Sequence, residues 1–172
     1  MHSIIAGQTR SGKSTLAKTL SGILARRGEA VYVLDPKNSR WPGATWQTDD
    51  AENFMDVVKC CRDGFLFCDE ASNYLYSRSS PLNWLAVGSA GYGFKAFFIV
   101  QRINQLSTVI RDQCDYLYLF LSAIGSCEVA AAEWGKKELL QAATIQRGSY
   151  LRAQKSTPAA PVLHNLFNPK GY

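Results

Sequence analysis

The run Gly7-Gln8-Thr9-Arg10-Ser11-Gly12-Lys13-Ser14, followed by Thr15, constrains this chain more than any other stretch of its sequence. It fits the pattern G-x-x-x-x-G-K-[ST] without deviation. An apolar segment over residues 3–6 precedes it and reads as a strand. After it, Leu16, Leu20, Ile23 and Leu24 recur at helical spacing through residue 27, and Gly28 sits where a helix ends. Strand, glycine loop and helix in that order make an anion cradle. The glycines let the backbone turn tightly enough for its N–H groups to point inward, and the helix adds the positive end of its dipole. In such a cradle Lys13 would neutralise β- and γ-phosphate charge, and the Ser14 hydroxyl would ligate Mg²⁺. The expected cofactors are therefore ATP and Mg²⁺, with residues 7–15 on the nucleotide.

The rest of the chain alternates short apolar runs with amphipathic ones, an α/β pattern. Strands are expected at 30–34, 65–68, 96–100 and 116–121, with a last short one at 149–153. Helices are expected from an Asp49 or Asp50 cap to about 62, on to Tyr76 after the third strand, near 82–89, and over 128–143. Residues 36–48, with their Pro and Gly breaks, read as a loop. The strands at 3–6, 65–68, 96–100 and 116–121 are almost wholly apolar, which suits a parallel sheet covered by helices on both faces. At 172 residues the chain predicts one domain, drawn at 1–155, with a Pro-containing C-terminal tail over 156–172.

Composition excludes several classes. With 47% hydrophobic and 19% charged residues the chain is not disordered. No apolar stretch is long enough to cross a bilayer, and the first residues lack the pattern of a secretion signal. Five cysteines, two of them adjacent and none in C-x-x-C spacing, fit neither a disulfide framework nor a zinc site; they read as small core residues in a reducing cytosol. His2 and His164 stand alone near the two ends, so no histidine-centred site is visible.

A second motif lies about 55 residues after the first. Gly64-Phe65-Leu66-Phe67-Cys68-Asp69-Glu70 is an apolar strand tipped by two acids. Asp69 at the strand end would support the metal, and Glu70 could polarise an attacking water as general base. Kinases and GTPases with the same glycine loop generally lack a glutamate here, whereas motor-type ATPases carry it.

From Ala96 the chain reads Ala-Phe-Phe-Ile-Val-Gln-Arg-Ile-Asn-Gln-Leu-Ser and runs on through Gln113-Cys114-Asp115 into the strand ending near Phe120. This resembles the HerA/FtsK superfamily of DNA-pumping ATPases, as do Asp35-Pro36-Lys37 after the second strand and Gly91-Tyr92-Gly93 before the fourth. The resemblance covers about residues 3–150. It implies a P-loop, RecA-like (ASCE) domain with a mainly parallel sheet in the order 5-1-4-3-2, all motifs at the strands' C-terminal edge. It also implies that Gln101 is the polar γ-phosphate sensor, and that the chain forms a homo-oligomeric ring, hexamer or pentamer, around double-stranded DNA.

The superfamily often carries an arginine finger three residues ahead of the glycine matched by Gly93; this chain has Ala90 there. Arg78, Arg102 and Arg111 are the remaining candidates to act in trans. The net charge of +5 is spread along the chain, and Lys37 and Arg40 are loop candidates for sequence-independent phosphate contacts with DNA. Trp41 and Trp46 could stack on bases or pack a loop on a neighbouring subunit. As a bare motor, the chain resembles the genome-packaging ATPases of tailless, membrane-containing viruses and phages. A capsid-vertex or membrane protein is then a further expected partner, and the host cytoplasm or the virion packaging vertex the expected location. The competing expectations are a HerA-like translocase or helicase, a phage-assembly or conjugation ATPase, and, less well supported, a P-loop nucleotide kinase.

Overall fold

The computed structural model describes residues 1–167. In chain order the strands are β1 (His2–Ala6), β2 (Val31–Leu34), β3 (Trp46–Thr48), β4 (Gly64–Cys68), β5 (Phe94–Val100), β6 (Cys114–Phe120), β7 (Ser149–Gln154) and β8 (Val162–Asn165). The helices are α1 (Lys13–Arg26), α2 (Ala51–Cys60), α3 (Trp84–Val87), α4 (Thr108–Asp112) and α5 (Ile124–Trp134). All eight strands form one sheet in the order β3-β2-β4-β5-β1-β6-β7-β8. Pairing is parallel from β3 through β6 and antiparallel for β7 and β8.

The expected order 5-1-4-3-2 is present as its centre, β6-β1-β5-β4-β2, but it is incomplete at both edges. β3 lies inside the segment read as a loop. It is only three residues long and half-buried, so it lacks the apolar run that marks a central strand. At the other edge, β8 comes from the segment set apart as a tail and pairs with β7, Leu151 opposite Leu163. Residues 157–159 are held as well: the buried Lys136 Nζ donates to the carbonyls of Thr157 and Ala159, each at 2.7 Å. The part of that segment beyond residue 167 lies outside the described residues.

The strands alternate their side chains between two apolar layers. One face carries Ile4, Leu34, Leu66, Phe98 and Leu117 and is covered by α2, α3, α4 and α5 through Phe54, Val58, Leu85, Ile110 and Ala130. The opposite face carries Ile5, Val33, Phe67, Phe97 and Ile99 and is covered by α1 through Leu16 and Ala17. Helices thus lie on both faces. Asp50 caps α2, accepting from the Asn53 N–H at 2.8 Å. The helix expected over 128–143 is two elements: α5 ends at Gly135, in the left-handed region at φ 65°, and a 3₁₀ helix follows over Lys137–Ala143. The helical stretches expected up to 76 and across 82–89 are short 3₁₀ turns and the four-residue α3. Repeated Ser, Pro and Gly restart the chain there before a full helix can build.

Cys68, Cys114 and Cys127 are buried, and all five cysteines are free. Trp41 and Trp46 pack within their own chain: Trp41 lies on Phe67 with ring centroids 5.5 Å apart, and Trp46 stacks on Phe54 at 6.1 Å. Among the described residues no helix is long and apolar enough to cross a membrane.

Candidate functional site

Parallel pairing fixes where the chemistry collects. β1, β2, β4 and β5 run in one direction, so Gly7, Asp35, Asp69 and Gln101, each the residue after its strand, emerge at the same C-terminal edge. That is the edge where open α/β sheets bind ligands. Thr9, Arg10, Lys13, Ser14, Asp69, Glu70 and Gln101 all line one cleft of about 140 Å³ there, joined by Lys37.

The phosphate loop is pinned at its start. The Gly7 N–H donates to Val100 O at 3.3 Å, and the Gln8 N–H to Leu121 O at 2.8 Å. Gly7 and Gly12 have φ of 154° and 115°, and each also lies against Phe120. A Cβ on Gly7 would come within 2.5 Å of Phe120 Cβ, so the motif's first glycine is demanded by packing as well as by backbone shape. Lys13 is 9% exposed, and its Nζ donates to Gln8 O at 2.8 Å. Burial lowers its pKa, while the charges of Glu70 and Asp69 act in the opposite direction. Ser14 and Thr15 are exposed at the start of α1.

Opposite stands the acidic tip of β4. Asp69 is 7% exposed, and its Oδ1 accepts the Glu70 N–H at 2.9 Å. Burial raises its pKa, and the nearby Asp35 and Glu70 charges add to that. Glu70 adopts φ 47°, ψ 41°, one of four non-glycine residues with positive φ among those described; Arg10, in the same cleft, is another. Strain of this kind concentrates at functional sites because the surrounding structure holds it in place. Ser14 and Asp69 offer hard oxygen donors to one cleft, and Asp69 Oδ2 makes no hydrogen bond among the described residues. The set fits Mg²⁺, which takes one or two protein oxygens and completes its shell with water and phosphate oxygens.

Two features escaped the sequence reading. Asp35 is 1% exposed and organises the loop after β2. It accepts from the Lys37 and Ser39 N–H groups at 2.9 and 3.0 Å and from Trp41 Nε1 at 3.0 Å. Burial works against its charge, but these bonds and the Ser39 hydroxyl hold its pKa below the usual aspartate value. That loop delivers Lys37, expected on DNA, to Glu70: Nζ and Oε1 are 2.7 Å apart. An aspartate ahead of two turn residues and a serine four positions on is the signal that could have revealed the first feature; nothing in the spacing foretold the second.

The arginine candidates separate. Arg102 is exposed beside Thr9 and Gln101, lining a neighbouring hollow. Arg78 is exposed on the segment between β4 and α3. Arg111 is not brought to the cleft: it lies on α4, at the end of the sheet where β6 begins, buried and paired with Glu133 at 2.6 Å. Arg40 is exposed on the Asp35 loop.

Because Asp69 is held with a raised pKa, its charge costs stability at neutral pH. The folded state keeps the proton to a higher pH than the unfolded chain does, so stability falls as pH rises through that window. Asp69→Asn retains Oδ1 as an acceptor and removes the charge. It is expected to melt higher than the wild type at pH 7 to 8, with the gap closing as pH falls toward the ordinary aspartate value. Urea unfolding of both proteins across that range measures it; a variant less stable at pH 8 would contradict the origin given for the shift.

The fold is that of the P-loop ATPases. Among solved structures it superposes on the DNA-packaging ATPase B204 from Sulfolobus turreted icosahedral virus with a TM-score of 0.79 at 17% identity, covering 95% of this chain and 96% of that one. The genome packaging NTPase B204 from Sulfolobus turreted icosahedral virus 2, in complex with ATP-gammaS, gives 0.78 at 14% identity over 95% and 96%. VirB4 of Thermoanaerobacter pseudethanolicus gives 0.71 at 10% over 95% and 88%. No protein-family model and no curated protein sequence matches the chain.

Proposed function

We propose that the chain is an ATP-hydrolysing motor that translocates double-stranded DNA, working as a homo-oligomeric ring, hexamer or pentamer, to package a viral genome into a preformed capsid. The observation that carries the ATPase reading is the meeting of Lys13 and Ser14 with Asp69, Glu70 and Gln101 in one cleft at the strands' C-terminal edge. Backbone N–H groups of residues 7–14 and Lys13 bind the triphosphate. Ser14 and Asp69 would hold Mg²⁺, which supplies charge neutralisation on the phosphates when bound. Glu70 takes a proton from the attacking water, and Gln101 reports the γ-phosphate. The packaging role is favoured over other DNA motors by the match in size and fold to the two B204 proteins, nearly all of whose length this chain spans.

The trans-acting arginine falls to Arg102 or Arg78, both exposed; the buried pair with Glu133 leaves Arg111 a positioning role within its own subunit. DNA contact falls to Arg40 and the exposed Lys37 on one loop. An ATPase assay with and without duplex DNA, on the protein sized by sedimentation, tests the reading. Several-fold stimulation by duplex in a ring-sized species is expected. Phosphoryl transfer to a nucleoside monophosphate without DNA dependence would replace the motor with a kinase.

A further inference from the structure

A second cavity, of about 330 Å³, opens on the other side of the phosphate loop and shares Arg10, Lys13 and Ser14 with the acidic cleft. Among the described residues it contains no carboxylate. Beyond the loop itself its walls are Arg147, Gly148 and Phe167. A triphosphate whose γ end meets Asp69 and Glu70 must leave the loop with its sugar and base on this side. The volume lies at the lower end of the range for small-ligand pockets, about 300–1,000 Å³.

The wall is built, and the C-terminal segment builds it. The Gly148 N–H donates to Ser11 O at 3.0 Å, and the Leu166 N–H donates to Gly148 O at 2.9 Å, so a hydrogen-bonded path joins phosphate loop, β7 and the end of β8. Leu166 packs on the loop: a Cβ on Gly12 would come within 2.8 Å of its Cδ1. The Phe167 N–H is held by Asn165 Oδ1 at 2.8 Å, and its ring lies against Gly148, where a Cβ would collide with Cε2. Yet Phe167 is 79% exposed, the most exposed large apolar side chain among the described residues. A large aromatic ring fixed at a cavity mouth and left in water has no partner among the described residues on its open face. Arg147 beside it is exposed and makes no ion pair among the described residues. Ser11, also lining the cavity, is 1% exposed, with a hydroxyl that has no partner among the described residues.

We propose that Phe167 and Arg147 form the nucleobase site, holding the base by stacking against the ring and the guanidinium. This rests on the reading of residues 7–14 as the triphosphate cradle. The lining also sets the selectivity. Among the described residues it contains no Asn, Gln, Asp or Glu side chain, its side-chain acceptors are the Ser11, Ser14 and Thr15 hydroxyls at the phosphate loop, and Arg147 only donates. Stacking is tolerant of base identity because every base has a π face. The substrate class is therefore nucleoside triphosphates with little discrimination between bases, ATP and GTP binding within a few-fold of each other.

Calorimetry on the full chain separates the two halves of the site, using inorganic tripolyphosphate as a ligand without a base and non-hydrolysable ATP and GTP analogues, all with Mg²⁺. Stacking contributes about 1–3 kcal/mol per base, so Phe167→Ala should weaken both analogues by about 5- to 150-fold. Tripolyphosphate affinity should stay within twofold, and Phe167→Tyr should restore analogue binding. Equal loss of tripolyphosphate and analogue in Phe167→Ala would make the ring a structural prop for the loop and overturn the base site. So would unchanged analogue affinity, or a wild-type preference for one purine of a hundredfold. Wild-type protein that binds neither tripolyphosphate nor analogue would instead overturn the cradle, and the base site with it.

Discussion

Lys13→Ala should lower ATP turnover by about 10²- to 10³-fold, the scale on which a single preorganised donor to transition-state charge is lost. The amine already lies over the loop, 9% exposed and bonded to Gln8 O, so a triphosphate need only exchange that carbonyl for phosphate oxygens. Little reorganisation is required at the moment of reaction, which is what makes such a donor effective. The folded chain gains little from this residue, because burial of the ammonium lowers its pKa and its strong partner is a single carbonyl. Lys13→Met, which keeps the alkyl stem and drops the charge, is therefore expected to melt no lower than the wild type while losing activity like the alanine variant. Steady-state ATPase rates and thermal melts of the two variants check both halves. Activity within threefold of the wild type in Lys13→Ala would remove residues 7–14 from the phosphate-binding role.

The centre of this molecule could be read from its sequence, and the edges could not, for a physical reason. β1, β4, β5 and β6 are covered on both faces, so their segments are nearly continuous apolar runs that no other element explains. β3 and β8 need only one neighbour each, and their half-exposed residues follow no such pattern. The same distinction divides the site. Lys13, Ser14, Asp69 and Glu70 sit at fixed offsets from central strands, so spacing alone placed them in one cleft. Lys37 reaches Glu70, and Phe167 reaches the loop beside Gly148, through irregular segments whose paths are set by hydrogen bonds to Asp35 and to Gly148. Arg111, a candidate to act across a subunit boundary, lies on α4 just ahead of β6, at the end of the sheet away from the cleft, and pairs with Glu133.

Glu70→Gln should bind ATP within a few-fold of the wild type and hydrolyse it about 10²- to 10⁴-fold more slowly, the range for removing a general base. The substitution is nearly isosteric. The introduced amide would keep an oxygen for Lys37 Nζ, and the backbone N–H bond to Asp69 Oδ1 does not involve the side chain at all. Loss of the formal ion pair costs little, since Lys37's side chain is 67% exposed and such pairs contribute at most about 1 kcal/mol. Unfolding therefore cannot account for a dead enzyme, and the effect must arise at the reacting water. Lys37→Ala provides the control. It also breaks the pair but leaves the carboxylate, so it should retain far more activity than Glu70→Gln. Single-turnover hydrolysis with duplex DNA present, alongside equilibrium ATP binding, makes the comparison. A Glu70→Gln protein that turns over normally would shift the proton-accepting role away from the carboxylate.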